Sequence, residues 1–182
     1  MLSSYIEHPR NCSYEGQDSD EDIILLLRAH PVTNISWIIP ALLLFFMPFL
    51  LPFVISSLSL NLFSDLPQSY LGAFLIINYL LVLIISFEGF LSWYFNVDII
   101  TDRRIIDIDF HSILYKNIDV TLLSNVQEAS SSTGGVLGTL INFGDVIVQT
   151  AGAKVAIDMH KVPKHDLVAD VILDLVHKKG QS

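Results

Sequence analysis

The sequence predicts a membrane α-helical hairpin joined to a small mainly-β domain that ends in one amphipathic helix. Three observations carry that fold class. Two long apolar runs, residues 35–60 and 70–95, follow each other closely; beyond Phe95 the hydrophobic period changes from helical to alternating; and residues 163–180 return to a helical period.

The first run, ISWIIPALLLFFMPFLLPFVISSLSL, holds no charge, and the second, YLGAFLIINYLLVLIISFEGFLSWYF, holds one, Glu88. Each has 26 residues, which at about 1.5 Å per helical residue gives about 39 Å against a hydrocarbon core of about 30 Å. A buried helical hairpin of the same composition would need a sheath of apolar surface that the remaining residues do not supply. Arg28 precedes the first run, Arg103, Arg104 and Lys116 follow the second, and the connection at 61–69 has no base and carries Asp65. Both termini are therefore expected on the cytoplasmic side and Asp65 outside. Trp37, Tyr70, Trp93 and Tyr94 fall near the ends of the runs, where amphipathic rings settle at headgroup level.

Pro40, Pro48 and Pro52 interrupt the first run, and inside lipid each leaves a carbonyl that a neighbour or a local distortion must satisfy. A kinked span is expected, with a re-entrant hairpin broken around Pro48 as the rival. In the second run Gly72 and Ala73 offer a close-packing surface, and Asn78 and Glu88 are the strongly polar side chains. An ionisable group in a span is a functional candidate. Glu88 lies about two turns from the cytoplasmic end, so the structural reading is that it snorkels or pairs with Arg28 or Arg103.

Charge limits the partners. The chain of 182 residues has a net charge of −9; up to Asn34 there are six acids and two bases, and after Phe95 eleven acids and eight bases. No region is basic, which argues against nucleic acid, whose binding needs a concentrated positive surface. The single cysteine, Cys12, leaves no intramolecular disulfide, and no apolar signal core precedes it, so the first run is expected to stay as a membrane anchor. The organisation expected is a partly disordered cytoplasmic segment at 1–34, the hairpin at 35–95 and a cytoplasmic domain at 96–182.

Residues 1–21 are polar and acidic, with Asp18, Asp20, Glu21 and Asp22 close together, and are expected to be mobile. The apolar run Ile23–Leu27 that follows fits a short strand or an interfacial helix equally. After the hairpin, 97–101 and 145–150 are β-branched runs of strand length. In 104–110, Ile106, Ile108 and Phe110 share one face and Asp107 and Asp109 the other; in 154–160, Val155, Ile157 and Met159 oppose Lys154, Asp158 and His160. Residues 119–123 and 136–141 are weaker strand candidates. Thr101-Asp102-Arg103, Asn142-Phe143-Gly144-Asp145 and Ala151-Gly152-Ala153 read as tight connections between antiparallel neighbours, with Gly144 expected at positive φ in a turn feeding a strand from Asp145. Pro163 suits a first helical position, Asp166 the N-terminal turn, Lys178 and Lys179 the last turn, and Gly180 the stop.

Three stretches, NVDIITDRRIIDIDF at 96–110, GGVLGTLINFGDVIVQTAG at 134–152 and VPKHDLVADVILDLV at 162–176, together resemble the bacterial pleckstrin-homology-like (PH-like) domain of small membrane-anchored proteins. The LLLRAHP segment and the two spans that follow it add to the resemblance, which runs from about Asp22 to Val176. It implies a seven-stranded, bent antiparallel β-barrel or sandwich closed by a C-terminal helix, at the inner face of a bacterial cytoplasmic membrane. No single motif is diagnostic, and the resemblance speaks to fold far more than to function.

The chemistry looked for is thin. Gly134-Gly135-Val136-Leu137-Gly138-Thr139 has no lysine before its threonine, and its surroundings read as turn and strand, unlike a phosphate loop. No two of the six histidines have ligand spacing on one helix face, and no serine lies in a nucleophile elbow. Asp107 and Asp109 suit a cation or, more simply, a solvated strand face. Nothing implies catalysis, a cofactor or a metal. Two readings stand: a membrane-tethered interaction or assembly module that forms a homo-oligomer or binds another membrane protein, and a module that binds anionic lipid headgroups through Arg103, Arg104 and Lys116. The acids interleaved with those three bases favour the first.

Overall fold

The computed structural model describes residues 3–9, 12–14, 16–58, 67–112, 115–151 and 157–180. Asp65, Lys154, Val155 and the turn residues Gly152 and Ala153, all named in the sequence reading, lie outside that set. The chain forms two compact units, residues 34–91 and the joined pair 1–33 and 92–182.

The first unit is a pair of helices, α1 (Ile35–Ser57) and α2 (Gln68–Phe95, whose last turn belongs to the other unit). Both are long and apolar enough to cross a membrane. Their outward side chains are apolar and bare, Phe49 being 67% exposed, Phe53 71% and Ile76 71%, a surface that water would not tolerate at this extent. Helix α1 runs unbroken through Pro40, Pro48 and Pro52, so the break required by a re-entrant hairpin is absent. Pro48 has no N–H for the carbonyl of Leu44, four residues earlier, and Asn78 of α2 supplies the missing donor, its Nδ2 lying 2.9 Å from that oxygen. Asn78 is thereby buried. One end of the pair closes on Gly89, where an added Cβ would strike the Trp37 ring; Trp37 itself donates from Nε1 to Asn34 Oδ1 at 2.9 Å. Phe45 meets Tyr79 edge-on at 5.6 Å.

The second unit is built from two antiparallel sheets and two further helices. The larger sheet has the order β1 (Tyr5–Glu7), β2 (Ile23–Leu27), β3 (Val97–Thr101), β4 (Arg104–Ser112), β5 (Tyr115–Leu122). The smaller holds β6 (Val126–Ser132), β7 (Phe143–Thr150) and β8 (Ile157–Pro163). Among the described residues no pairing joins the two sheets and neither closes on itself, so of the expected β-barrel or sandwich the closed barrel is not formed. Ile23–Leu27 resolves as a strand because it pairs with β3 along its length. This pairing also changes the grouping expected from sequence. The part before the hairpin supplies two strands to the sheet that the part after it continues, and the two apolar helices are an insertion between the adjacent strands β2 and β3.

One core lies between the sheets. Leu25, Leu27, Ile100 and Ile105 come from the larger sheet, Val146, Val148, Ile157, Met159 and Val162 from the smaller, and Val168, Ala169 and Ile172 from α4 (His165–Gly180), all fully or nearly fully buried. The opposite face of the larger sheet carries a second, smaller cluster of Ile23, Ile99 and Ile106.

Three local expectations are corrected. Residues 136–141 form α3 (Gly135–Ile141), not a strand: a seven-residue apolar run does not fix its own period, and Asn142, in the left-handed region at φ 58°, caps the helix. Gly144 is therefore not the positive-φ residue; it sits in β7, where its missing Cβ leaves room for the Ser132 carbonyl and the His165 ring. Pro163 ends β8 instead of starting the last helix, and Lys164, at φ 53°, makes the turn into α4.

Candidate interaction surface

The turn from β3 to β4 has two residues between its closing pair, Asp102 and Arg103, and this fixes the register Ile100↔Ile105, Ile99↔Ile106 and Asp98↔Asp107. The next strand continues it with Ile108↔Ile118, Ile106↔Val120 and Asp107↔Asp119. Residues opposite each other share a face of the sheet. One face of β5 thus carries Ile118, Val120 and Leu122, and the other carries Asp119 beside Asp107 and Asp98.

Strand β5 is an edge: it pairs with β4 alone, and its outer side has no strand partner among the described residues. Ile118 is 52% exposed, Val120 53% and Leu122 49%. The other edge strands differ. β1 has three residues, the exposed positions of β6 are Gln127, Glu128 and Ser132, and those of β8 are Asp158, His160 and Lys161. A long edge with an exposed apolar row is the arrangement that templates strand addition, and soluble proteins ordinarily guard against it with short strands, charges or prolines.

The acidic face is a separate feature. Asp98 and Asp107 are both buried. Burial, then the charge of Asp107 and a hydrogen bond with it, push the Asp98 carboxyl well above the ordinary carboxylate range. Burial and the charge of Asp109 raise Asp107 to about 6, with Asp119 adding and His160 opposing. The two carboxyls crowd each other, and burial with that repulsion favours the protonated form within the pair. Among the described residues no group of three or more His, Cys, Asp and Glu side chains is placed to hold a metal ion.

The headgroup-binding candidates do not converge. Arg103 meets Asp20, and also Asp18 at 3.8 Å and Asp102 at 3.9 Å. Arg104 binds Asp18 at 2.5 Å and Glu21 at 3.0 Å. Glu21 is buried and accepts from Thr101 Oγ1 at 2.6 Å and from the Tyr14 hydroxyl at 2.6 Å. Burial works against the Glu21 charge, but those hydrogen bonds, the Asp18 N–H and Arg104 outweigh it and hold the carboxyl below its ordinary value. The acidic N-terminal segment is thus pinned to the arginine pair. Lys116 stands opposite Phe110 on β5, six residues along β4 from Arg104, about 20 Å at strand rise.

The remaining sequence candidates are dispersed. Asn78 caps the carbonyl freed by Pro48. Glu88 is exposed on α2; Arg28 lies over the Tyr94 ring at 4.8 Å. Asp145 Oδ1 accepts from the Lys161 N–H at 2.7 Å and lies 3.6 Å from His160 Nδ1, a brace between β7 and β8. Sequence reading missed Asp98 and the β5 row. The two-residue turn at Asp102-Arg103 was the available signal for Asp98, since counting back from it places Asp98 opposite Asp107.

Comparison of the chain with family models, with characterised proteins and with solved structures finds no match.

Proposed function

We propose that the protein is a membrane-tethered interaction and assembly module without catalytic function, built on a PH-like domain whose larger sheet is completed by the two strands before the hairpin. The observation that carries this reading is the outer edge of β5, without a strand partner among the described residues, with its exposed row Ile118, Val120 and Leu122. Eight antiparallel strands in two sheets among the described residues, with α3 between β6 and β7 and a C-terminal helix after them, are compatible in general terms with the PH-like reading of the fold. Two spans confine the domain to the bilayer, where weak contacts between copies or with a neighbouring membrane protein gain from high effective concentration. The basic residues after the second span support cytoplasmic placement of the domain at the inner face of a bacterial membrane. Headgroup binding is the weaker reading, because Arg103 and Arg104 are engaged by Asp18, Asp20 and Glu21.

The test uses the intact chain, because β1 and β2 precede the hairpin. Cross-linking in membranes should trap dimers or larger complexes, and Val120→Lys, which puts a charge on the exposed row without touching the core, should weaken the trapping. A monomer under all conditions, together with saturable binding to anionic vesicles, would replace this reading with the headgroup one.

A further inference from the structure

The backbone of β5 has two distinct sides. Leu123, the residue after the strand, donates its N–H to the Arg103 carbonyl at 2.9 Å, which continues the register Arg104↔Leu122 by one pair. Backbone groups along an antiparallel strand address its two sides alternately, so Thr121, Asp119 and Asn117 turn their N–H and C=O toward β4. Leu122, Val120 and Ile118 turn theirs outward. The other side of β4 agrees, because the Phe110 N–H donates to Asn96 Oδ1, just before β3, which leaves Asp109 and Asp107 to bond β5. The residues that carry the exposed apolar row are thus the same ones whose backbone groups lack a strand partner among the described residues.

A strand that fits this edge must be apolar at the residues that bond to it and must bring no acid opposite Asp119. β5 itself meets both conditions. Paired antiparallel with a second copy about Val120, it sets Val120 against Val120 and Ile118 against Leu122, hydrogen-bonded pairs that each exchange two N–H···O bonds, and it sets Asp119 against Thr121. The neighbouring registers are worse. Centring on Asp119 brings two carboxyls face to face, and centring on Ile118 puts Lys116 against Val120.

We infer that β5 pairs antiparallel with β5 of a second copy about a two-fold axis through Val120, so that the two larger sheets become one. Such an interface is a single patch meeting itself, as a closed homodimer requires. The inference rests on the assembly reading above and names the partner for that edge.

The test is disulfide trapping of the full chain in vesicles, with Cys12→Ser and a single cysteine at Ile118, Asp119 or Val120. In the inferred register the two Val120 Cα atoms lie about 5.5 Å apart, within disulfide reach, whereas the two Asp119 lie about 8 Å apart and the two Ile118 about 14 Å. Val120→Cys should therefore give at least about tenfold more dimer than either neighbour. Ile118→Cys, untrapped alone, should be trapped when mixed in one vesicle with Leu122→Cys. Most dimer at Ile118 or Asp119, or equal yields at all three, overturns the inference. Absence of trapping at Val120 while amine cross-linking of the parent chain still yields dimers overturns it too, but leaves the assembly reading standing. A parent chain that is monomeric throughout removes both.

Discussion

Replacing Asp98 by asparagine should stabilise the protein above neutral pH and flatten its pH dependence. Asp98 and Asp107 face each other across β3 and β4, both buried, and Asp107 is raised to about 6. An acid whose folded pKa is raised binds its proton more tightly in the native state. Its stabilising contribution is complete below the unfolded pKa and is lost as pH rises through the folded one. For Asp107, the step from 3.8 to about 6 corresponds to on the order of 3 kcal/mol, lost between about pH 4 and 7; Asp98, raised by burial and by the charge of Asp107, adds a loss of the same sign. In the Asp98→Asn variant the new side-chain amide would donate from its nitrogen to the ionised Asp107 without needing a proton. The assay is thermal unfolding of the intact protein in micelles at pH 5 and pH 8. At pH 8 the D98N variant should gain on the order of 1–3 kcal/mol, several degrees in Tm, and at pH 5 the two proteins should nearly coincide. Equal destabilisation at both pH values would refute this account of the pair and make Asp98 an ordinary buried hydrogen-bonding group.

Other substitutions probe separate parts of the molecule. Gly144→Ala should cost about 1–3 kcal/mol, because the new Cβ meets the Ser132 carbonyl and lies 2.6 Å from His165 Cδ2; an unchanged Tm would contradict that packing. Glu21→Ala should free the segment around Tyr14 and cost on the order of 1–3 kcal/mol, read as faster proteolysis between Tyr14 and Asp22 with the rest of the domain intact. Since the folded Glu21 pKa is lowered, the same release should occur in the parent as pH falls below about 4, opposite in sign to the Asp98 effect. Asn78→Leu should lower the stability of the helix pair by about 0.6–1.7 kcal/mol, measured by unfolding in micelles, whereas Asn78→Gln should lose less if its longer amide still reaches the Leu44 carbonyl.

What the sequence made legible follows from the range of the interactions. Apolar runs of this length and composition declare themselves as long helices, and the alternation in Arg104–Phe110 marks a strand whatever surrounds it. Ile23–Leu27 and 136–141 are short apolar runs whose state is decided by partners: β3 makes the first a strand, while the Gly134-Gly135 start and the Asn142 cap allow the second to be a helix. The glycine at 144 signalled a special position, but sequence does not distinguish a need for positive φ from a need for space, and here it is space. The arginine clasp joins residues 83 and 86 positions apart, so local reading treated Arg103 and Arg104 as available and Met1–Glu21 as mobile. The β5 row escaped notice because Tyr115–Leu122 also carries Lys116, Asn117 and Asp119, and its apolar face emerges only once the strand is known to be an edge.

The central claim, that β5 is an assembly edge, is tested most directly by hydrogen exchange of the 115–122 amides in the intact protein, in its own membrane and as a dilute monomer in micelles. Strand addition protects alternate amides on the outer side of β5. About half of the amides in this strand are predicted to slow at least roughly tenfold in the membrane, while those already bonded to β4 change little and Val120→Lys abolishes the difference. Equal exchange of the β5 amides in both states would contradict the claim.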